Sequence, residues 1–398
     1  MVMKDAEWDN LDYNNGKPQF SSLEGCLQGG VVNKTTMYLN NNLKKHYTHD
    51  SLSAFEAQRL AQIYAFGPMT FQTARLMVKW GIFEMLETPM TPEEVAEKAG
   101  ISLYAAKCLL ESSLTMNTVI VDPETGRYSL AKTGWFLLHD ESTRVNLDFN
   151  HDVNYQGMFY LEEALREGKP AGLKCLGDWP TVYEGLSTLP EQAQKSWFAF
   201  DHFYSDGSFE QALQLVFSRP TKHLMDVGGN TGRWAMQCVR YNPDVEVTIV
   251  DLPQQIEMMR EQTAGQSGAD RIFGYAANML DDNCKLPSEP AFDAIWMSQF
   301  LDCFSEPQIL SILRRAAFVM TAGTRLYIME TLWDRQRFDT AALCLAQTSL
   351  YFTAIANGNS KMYHSDDLVR LVREAGLEVE TIHDFLGLGH SVLECIIR

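Results

Sequence analysis

Apolar residues recur along this chain with periods that change from stretch to stretch. From Ser53 to about residue 87, Phe55, Leu60, Ile63, Phe71, Ala74, Met77 and Ile82 fall at helical spacing, which predicts mostly helix. Thr91-Pro92-Glu93-Glu94 then reads as a capping box with proline in the first helical turn, and Val95, Ala96 and Ala99 continue an apolar face until Gly100 stops it. A second helix is expected from Ser102, carrying Ala105, Cys108, Leu109 and Ser112. Val119-Ile120-Val121, the turn-forming Asp122-Pro123-Glu124-Thr125-Gly126 and Arg127-Tyr128-Ser129-Leu130 predict a hairpin. Helix, helix and wing make a winged-helix arrangement. Residues 1–52 show little period and read as an irregular leader, while 146–220 hold further helical segments.

From Lys222 onward short apolar runs alternate with helical patterns, the mark of a parallel sheet covered on both faces. Strands are expected at Leu224–Val227, Val245–Val250, Ile272–Tyr275, Phe292–Met297 and Arg325–Met329, with helices over 305–319 and 365–375. The last two strands, 377–382 and 391–397, follow each other without a crossover helix, and spacing that close demands an antiparallel pair.

The chemistry concentrates in His223–Asp251, where the pattern reads strand, glycine loop, helix, strand. Gly228, Gly229 and Gly232 let the backbone turn sharply and approach a ligand, and the helix that follows starts with unpaired N–H groups. Asp251, nineteen residues past Gly232, ends the next strand where a carboxylate meets a ribose diol. Asp226 stands two residues before the first glycine. A carboxylate there repels a pyrophosphate and tolerates a sulfonium or an ammonium, which places S-adenosylmethionine ahead of NAD or FAD.

A formal net charge of −18 argues against a surface that tracks phosphates, and so against nucleic acid as a partner of the winged-helix segment. The polar start MVMKDAEWDN is not a signal peptide, and no apolar run reaches membrane-spanning length, so a cytoplasmic protein with no membrane partner is expected. The eight cysteines are scattered singly, without metal-ligand spacing, and no metal is expected.

DVGGNTG followed by VDLPQQIEMM resembles the small-molecule O-methyltransferases of the caffeate and hydroxyindole type and their bacterial relatives, from about Phe66 to Arg398. The resemblance implies a Rossmann-like class I methyltransferase domain over 221–398, a parallel sheet with a terminal antiparallel strand pair. It also implies a winged-helix dimerisation domain over 53–145, hence a homodimer, and substrate-covering helices over 146–220. S-adenosylmethionine would be the cofactor and S-adenosylhomocysteine the product. Asp226, Gly228 and Gly229 would lie near the methionine portion, Asp251 with Leu252 at the ribose, and Asn278 with Met279 at the adenine. Ser298 and Gln299 stand where the family carries Lys and Trp. Phe200 and Tyr204 would face a small-molecule acceptor, with Ser208 on the same helical face.

The acceptor side departs from the family. Its Leu-His-Asp-Trp-Ser stretch is here Leu301-Asp302-Cys303-Phe304-Ser305, so the histidine that serves as general base becomes Asp302. Glu330 matches one carboxylate that orients the histidine; the second would fall at Met362. Deprotonating a phenol of pKa about 10 is uphill by roughly 5 kcal/mol for imidazole and roughly 8 kcal/mol for an ordinary carboxylate. Burial beside Glu330 narrows that gap if it raises one of the two pKa values. The expected function is methyl transfer to a small aromatic or conjugated hydroxylated acceptor, on oxygen first, with Asp302 and Glu330 catalytic. Transfer to carbon or nitrogen, a non-catalytic ligand sensor and a nicotinamide oxidoreductase stay open as alternatives.

Overall fold

The computed structural model describes residues 37–398, so 1–36 of the leader expected over 1–52 lie outside the described residues. The described chain forms two compact units, one built on His49–Leu138 and one joining Tyr38–Thr48 to His139–Arg398.

The first unit contains α1 (Ala54–Ala65), α2 (Gly67–Lys79), α3 (Pro92–Ala99), α4 (Leu103–Thr115) and the hairpin β1 (Val119–Asp122) and β2 (Arg127–Leu130). The Thr91 box forms as its sequence requires: the Glu94 N–H donates to Thr91 Oγ1 at 3.3 Å, and the Thr91 N–H to Glu94 Oε2 at 2.8 Å. Arg127 then donates to both oxygens of Glu94, tying the hairpin to α3. Met77, Phe83, Leu86, Val95, Leu110 and Val119 pack into one core. Helix α1 buries none of its residues, although it carries Phe55 and Tyr64.

In the second unit, α5 (Glu191–Ser205) precedes a seven-stranded sheet that alternates with helices. The order along the chain is β3 (His223–Val227), α6 (Arg233–Tyr241), β4 (Glu246–Asp251), α7 (Pro253–Thr263), β5 (Ile272–Ala276), β6 (Ala294–Ser298), α8 (Glu306–Val319), β7 (Arg325–Glu330), α9 (Asp339–Tyr351), α10 (Ser365–Glu374), β8 (Leu377–Leu386) and β9 (His390–Ile397). Across the sheet the order is β5-β4-β3-β6-β7-β9-β8. All pairs are parallel up to β7, and β9 runs antiparallel to both β7 and β8, as the short connection demanded. Met225, Val227, Ile295, Met297 and Ile328 fill the core on one face, and Leu224, Trp296 and Tyr327 that on the other, which is why these strands read as continuous apolar runs. The chain reverses neighbours at β3, which pairs with β4 on one side and β6 on the other, and this opens a crevice at the carboxyl ends of those strands.

Two details depart from the sequence reading. Asn41–Tyr47, within the expected leader, is a helix: Asn40 Oδ1 accepts the N–H groups of Asn42 and Leu43 at 3.0 Å each, and Leu43 is buried. Helix α5 stops at Ser205, and Asp206–Ser208 tightens into a 3₁₀ turn around Gly207, so Ser208 does not continue the face of Phe200 and Tyr204.

Candidate active site: a glycine-loop cavity joined to an aromatic chamber

The crevice is a cavity of about 1020 Å³. Its floor is the glycine loop, Asp226 to Gly232, with Arg233 and Trp234 of α6; Gln255 and Met258 of α7 form one side, and Ser298 and Gln299 the end of β6. Gly228 has φ +79°, and a Cβ there would lie 2.4 Å from the Phe300 ring, so any side chain would strain the turn and collide with that ring. A Cβ on Gly229 would come within 2.5 Å of Asp226 Oδ2. The loop is held open by Asp251, whose Oδ2 accepts the Asn230 N–H and whose Oδ1 accepts the Leu252 N–H, at 2.8 and 2.7 Å. Burial pushes the Asp251 pKa up, against the pull of those two donors.

Asp226 is 2% exposed, pairs in register with Trp296, and has no hydrogen-bond partner on Oδ2. Burial, reinforced by the charge of Asp251, pushes its carboxyl up to about 8. A buried oxygen left unpaired in the wall of a cavity is a site for a donor or a cation that binds there.

A smaller chamber, about 110 Å³, opens off the first; Tyr183, Trp197, Asp201 and Gln299 line both. Phe200, Tyr204, Asp302, Cys303, Tyr351 and Met362 complete most of its wall. Phe200 stacks on Phe149 at 4.0 Å between centroids, Tyr204 donates its hydroxyl to Asn146 Oδ1 at 3.0 Å, and the Trp197 indole donates to the Tyr351 hydroxyl at 2.7 Å. Those contacts fix the rings that face the chamber. Gln299 adopts φ +45°, strained for a residue with a side chain, at the junction of the two spaces.

Asp302 is 6% exposed and sits in a 3₁₀ turn with its Oδ1 accepting the Cys303 thiol at 3.5 Å. Burial raises its carboxyl to about 7, the Cys303 contact opposes the shift, and the charge of Asp201 adds to it. Glu330 plays a different part from a partner that orients the Asp302 carboxyl: its Oε1 accepts the N–H groups of Phe300 and Leu301 at 3.1 and 2.8 Å, clamping the backbone that carries Asp302. Its Oε2 is buried without a partner, and burial together with Asp302 raises its pKa far above the carboxylate range.

The structure thus brings Asp226, Gly228, Gly229 and Ser298 to the large cavity, and Phe200, Tyr204 and Asp302 to the small one. It leaves the expected adenine contacts aside. Asn278 turns its Oδ1 back onto the Leu280 N–H at 2.9 Å, and Met279 is buried in the sheet core, so neither lines the cavity; nor do Asp251 and Leu252. Sequence reasoning missed Trp197, which lies on α5 one turn before Phe200, and Tyr183 and Tyr351, which come from other segments. Asp201 and His202 also line the large cavity, with Arg233 set 2.7 Å from the Nδ1 of His202.

Comparison with known proteins follows the same division. A profile described as a Dimerisation2-like domain matches residues 58–128, and one described as an O-methyltransferase domain matches 198–378, together more than half of the chain. The chain belongs to the S-adenosylmethionine-dependent O-methyltransferase family. Among its relatives is an L-tyrosine C(3)-methyltransferase of Streptomyces lavendulae, 23% identical, with 81% of this chain and 88% of that protein covered. The S-adenosylmethionine-dependent methyltransferase SibL, solved in its apo form, superposes with a TM-score of 0.64 at 25% identity, covering 84% of this chain and 98% of SibL. NcsB1 from neocarzinostatin biosynthesis, solved with S-adenosylmethionine and 2-hydroxy-5-methyl naphthoic acid, shares the fold at a TM-score of 0.59 and 20% identity, over 83% and 96% of the two chains.

This methyltransferase therefore uses S-adenosylmethionine, and its own residues fit that cofactor. The unpaired Asp226 oxygen answers an ammonium or a sulfonium, and the close approach at Gly228 and Gly229 keeps the loop free of side chains. No helix among the described residues is long and apolar enough to cross a membrane.

Proposed function

We propose that this methyltransferase alkylates a ring-hydroxylated, single-ring acceptor seated in the 110 Å³ chamber, with Asp302 as the general base. The observation that carries the reading is the Asp302 carboxyl buried in the chamber wall, where burial raises its pKa to about 7. Against a phenol of pKa about 10, the uphill cost of proton transfer falls from roughly 8 to roughly 4 kcal/mol, less than ordinary imidazole requires. Bound S-adenosylmethionine supplies an electrophilic methyl group on a sulfonium. Asp226, Gly228 and Gly229 would hold its amino-acid portion, with Ser298 in the same cavity, and Asp251 would act through the loop it braces at Asn230. Asp302 takes the phenol proton, Glu330 positions the turn that carries Asp302, and Phe200 and Tyr204 hold the ring in line with the methyl group.

A second reading draws on the relative named for carbon methylation of L-tyrosine. A phenolate is nucleophilic at oxygen and at the ring carbon beside it, so the same base serves either atom, and the pose of the ring decides between them. Asp302→Asn is the test of the base. Turnover should fall at least a hundredfold with S-adenosylhomocysteine affinity within threefold of wild type, and undiminished turnover would remove Asp302 from the mechanism. Mass and NMR analysis of the product then separates O-methyl from C-methyl.

The dimerisation-type domain supports a homodimer, since α1 leaves Phe55 and Tyr64 60% and 71% exposed. A net charge of −18 supports a cytoplasmic enzyme of small molecules with no nucleic-acid or membrane partner.

A further inference from the structure

We propose that Cys303 is the positioning residue of the base: its thiol holds the Asp302 carboxyl by one oxygen and leaves the other to take the proton of the acceptor. The proposal rests on the reading of Asp302 as the general base. The two partners that the resemblance implies for this position do not serve Asp302. Glu330 gives its Oε1 to the Phe300 and Leu301 N–H groups, and residue 362 is a methionine whose sulfur accepts the Thr331 hydroxyl. What reaches the carboxyl is the next residue in the chain. The Cys303 thiol donates to Asp302 Oδ1 at 3.5 Å, the one side-chain donor to that carboxyl among the described residues. The backbone that presents the thiol is itself fixed. The Cys303 N–H donates to the Phe300 carbonyl at 3.2 Å, the Cys303 carbonyl accepts the Asn357 side-chain amide at 2.8 Å, and the Phe304 carbonyl accepts the Tyr363 hydroxyl at 2.6 Å. Asn357 directly follows the π-helical turn Phe352–Ala356, whose Phe352 lines the chamber, so the wall that seats the acceptor also holds the residue that holds the base.

The surroundings explain why a thiol stands there. The titratable groups that face Asp302 are Asp201 from α5, Glu330 at the end of β7, Tyr183, Tyr351 and Tyr363 from three other segments, and Cys303 itself. All six are acids. None of them brings a positive charge to the ionised carboxyl, so hydrogen-bond donors must hold it. The strength of the donor sets the base. Without a donor the carboxyl keeps its proton, and with a strong one it ionises readily but takes a proton back poorly. A thiol is a weak donor and falls between the two, and its polarisable sulfur turns an apolar surface to the ring in the chamber.

The test is infrared difference spectroscopy of the full chain loaded with S-adenosylhomocysteine, recorded from pH 5 to 9. The S–H stretch lies clear of other protein bands and moves to lower frequency as its hydrogen bond strengthens. The Cys303 band, identified by its absence from Cys303→Ser, should make that move on the same titration as the Asp302 carboxyl band, identified by its absence from Asp302→Asn, with a midpoint of about 7. Cys303→Ala should raise the Asp302 midpoint by about half a pH unit, and Cys303→Ser should lower it, since a hydroxyl is the stronger donor. A residue that only filled space would leave the midpoint in place. S-adenosylhomocysteine titration of each variant reports whether the site remains folded, and the coupling of the two wild-type bands stands apart from the fate of the alanine variant. An S–H band that ignores the Asp302 titration, or a midpoint unchanged in folded Cys303→Ala, would overturn the proposal and leave Asp302 standing as the base. No titration of Asp302 between pH 5 and 9 would overturn both.

Discussion

Asp226→Asn should stabilise the ligand-free protein while weakening its grip on the cofactor. The folded Asp226 carboxyl titrates at about 8, against 3.8 in the unfolded chain, because burial and Asp251 disfavour its charge. With the folded value above the unfolded one, the native state holds its proton longer. The penalty is absent below about pH 4, grows as pH rises, and is complete above about pH 8. At pH 7 the interval of about three units amounts to about 4 kcal/mol. Spread over a unit of this size, that corresponds to a shift in Tm of about 10 °C. Asparagine has the same shape and no charge to suppress. Thermal melts of both proteins at pH 4 to 9 should therefore nearly coincide at the acid end and diverge toward pH 8, with the variant the more stable. Asp302 and Glu330 are present in both, so their own titrations cancel in the difference. Saturating S-adenosylhomocysteine should shrink the gap, since its ammonium answers the wild-type carboxylate, and the variant should bind it at least tenfold more weakly. Parallel melting curves across the range would refute the claim that Asp226 is a buried, unanswered charge.

Because the base must be ionised, kcat/KM should rise with pH and level off above about 7, losing tenfold per unit on the acid side; a profile flat from pH 5 to 9 would exclude Asp302 as the titrating group. Gly228→Ala, at φ +79° and against the Phe300 ring, should cost about 2 kcal/mol or more of stability and most of the cofactor affinity, read by denaturant titration with and without S-adenosylhomocysteine. Asp302→His alone should be poorly active, and Asp302→His with Met362→Glu should recover at least tenfold in kcat/KM; additive losses would show that position 362 does not support the base.

Much of the fold was legible because its signals are local. The Thr91 box, the Gly100 stop, the hairpin turn and the glycine loop each follow from a few adjacent residues, and the antiparallel end of the sheet follows from the length of one connection. Helix α5 was overextended because helical spacing at Phe200, Tyr204 and Ser208 continues through Gly207, where the backbone turns. The acceptor chamber was half legible. Phe200, Tyr204 and Asp302 are visible from spacing and resemblance, and Trp197 shares their helix one turn earlier, whereas Tyr183 and Tyr351 belong to segments that only the fold brings together. The part played by Glu330 was hidden for another reason. Its distance from Asp302 along the chain matches the family, but its oxygen is taken by the Phe300 and Leu301 N–H groups, and backbone donors leave no mark in a sequence.

The replacement of the family's histidine by Asp302 and the methionine at 362 are two sides of one electrostatic constraint. An imidazole base becomes a cation in the reaction, and carboxylates around it stabilise that cation. Asp302 instead starts as an anion and becomes neutral, so each additional carboxylate beside it disfavours its ionised form. Glu330 already stands close, its own pKa raised by burial and by Asp302, and a further acid at 362 would drive the Asp302 pKa up and leave less of the base ionised. Met362 removes that charge and keeps the wall of the chamber filled, its sulfur accepting the Thr331 hydroxyl at 3.3 Å. Glu330 serves another task, since its Oε1 accepts the Phe300 and Leu301 N–H groups and holds the backbone that carries Asp302.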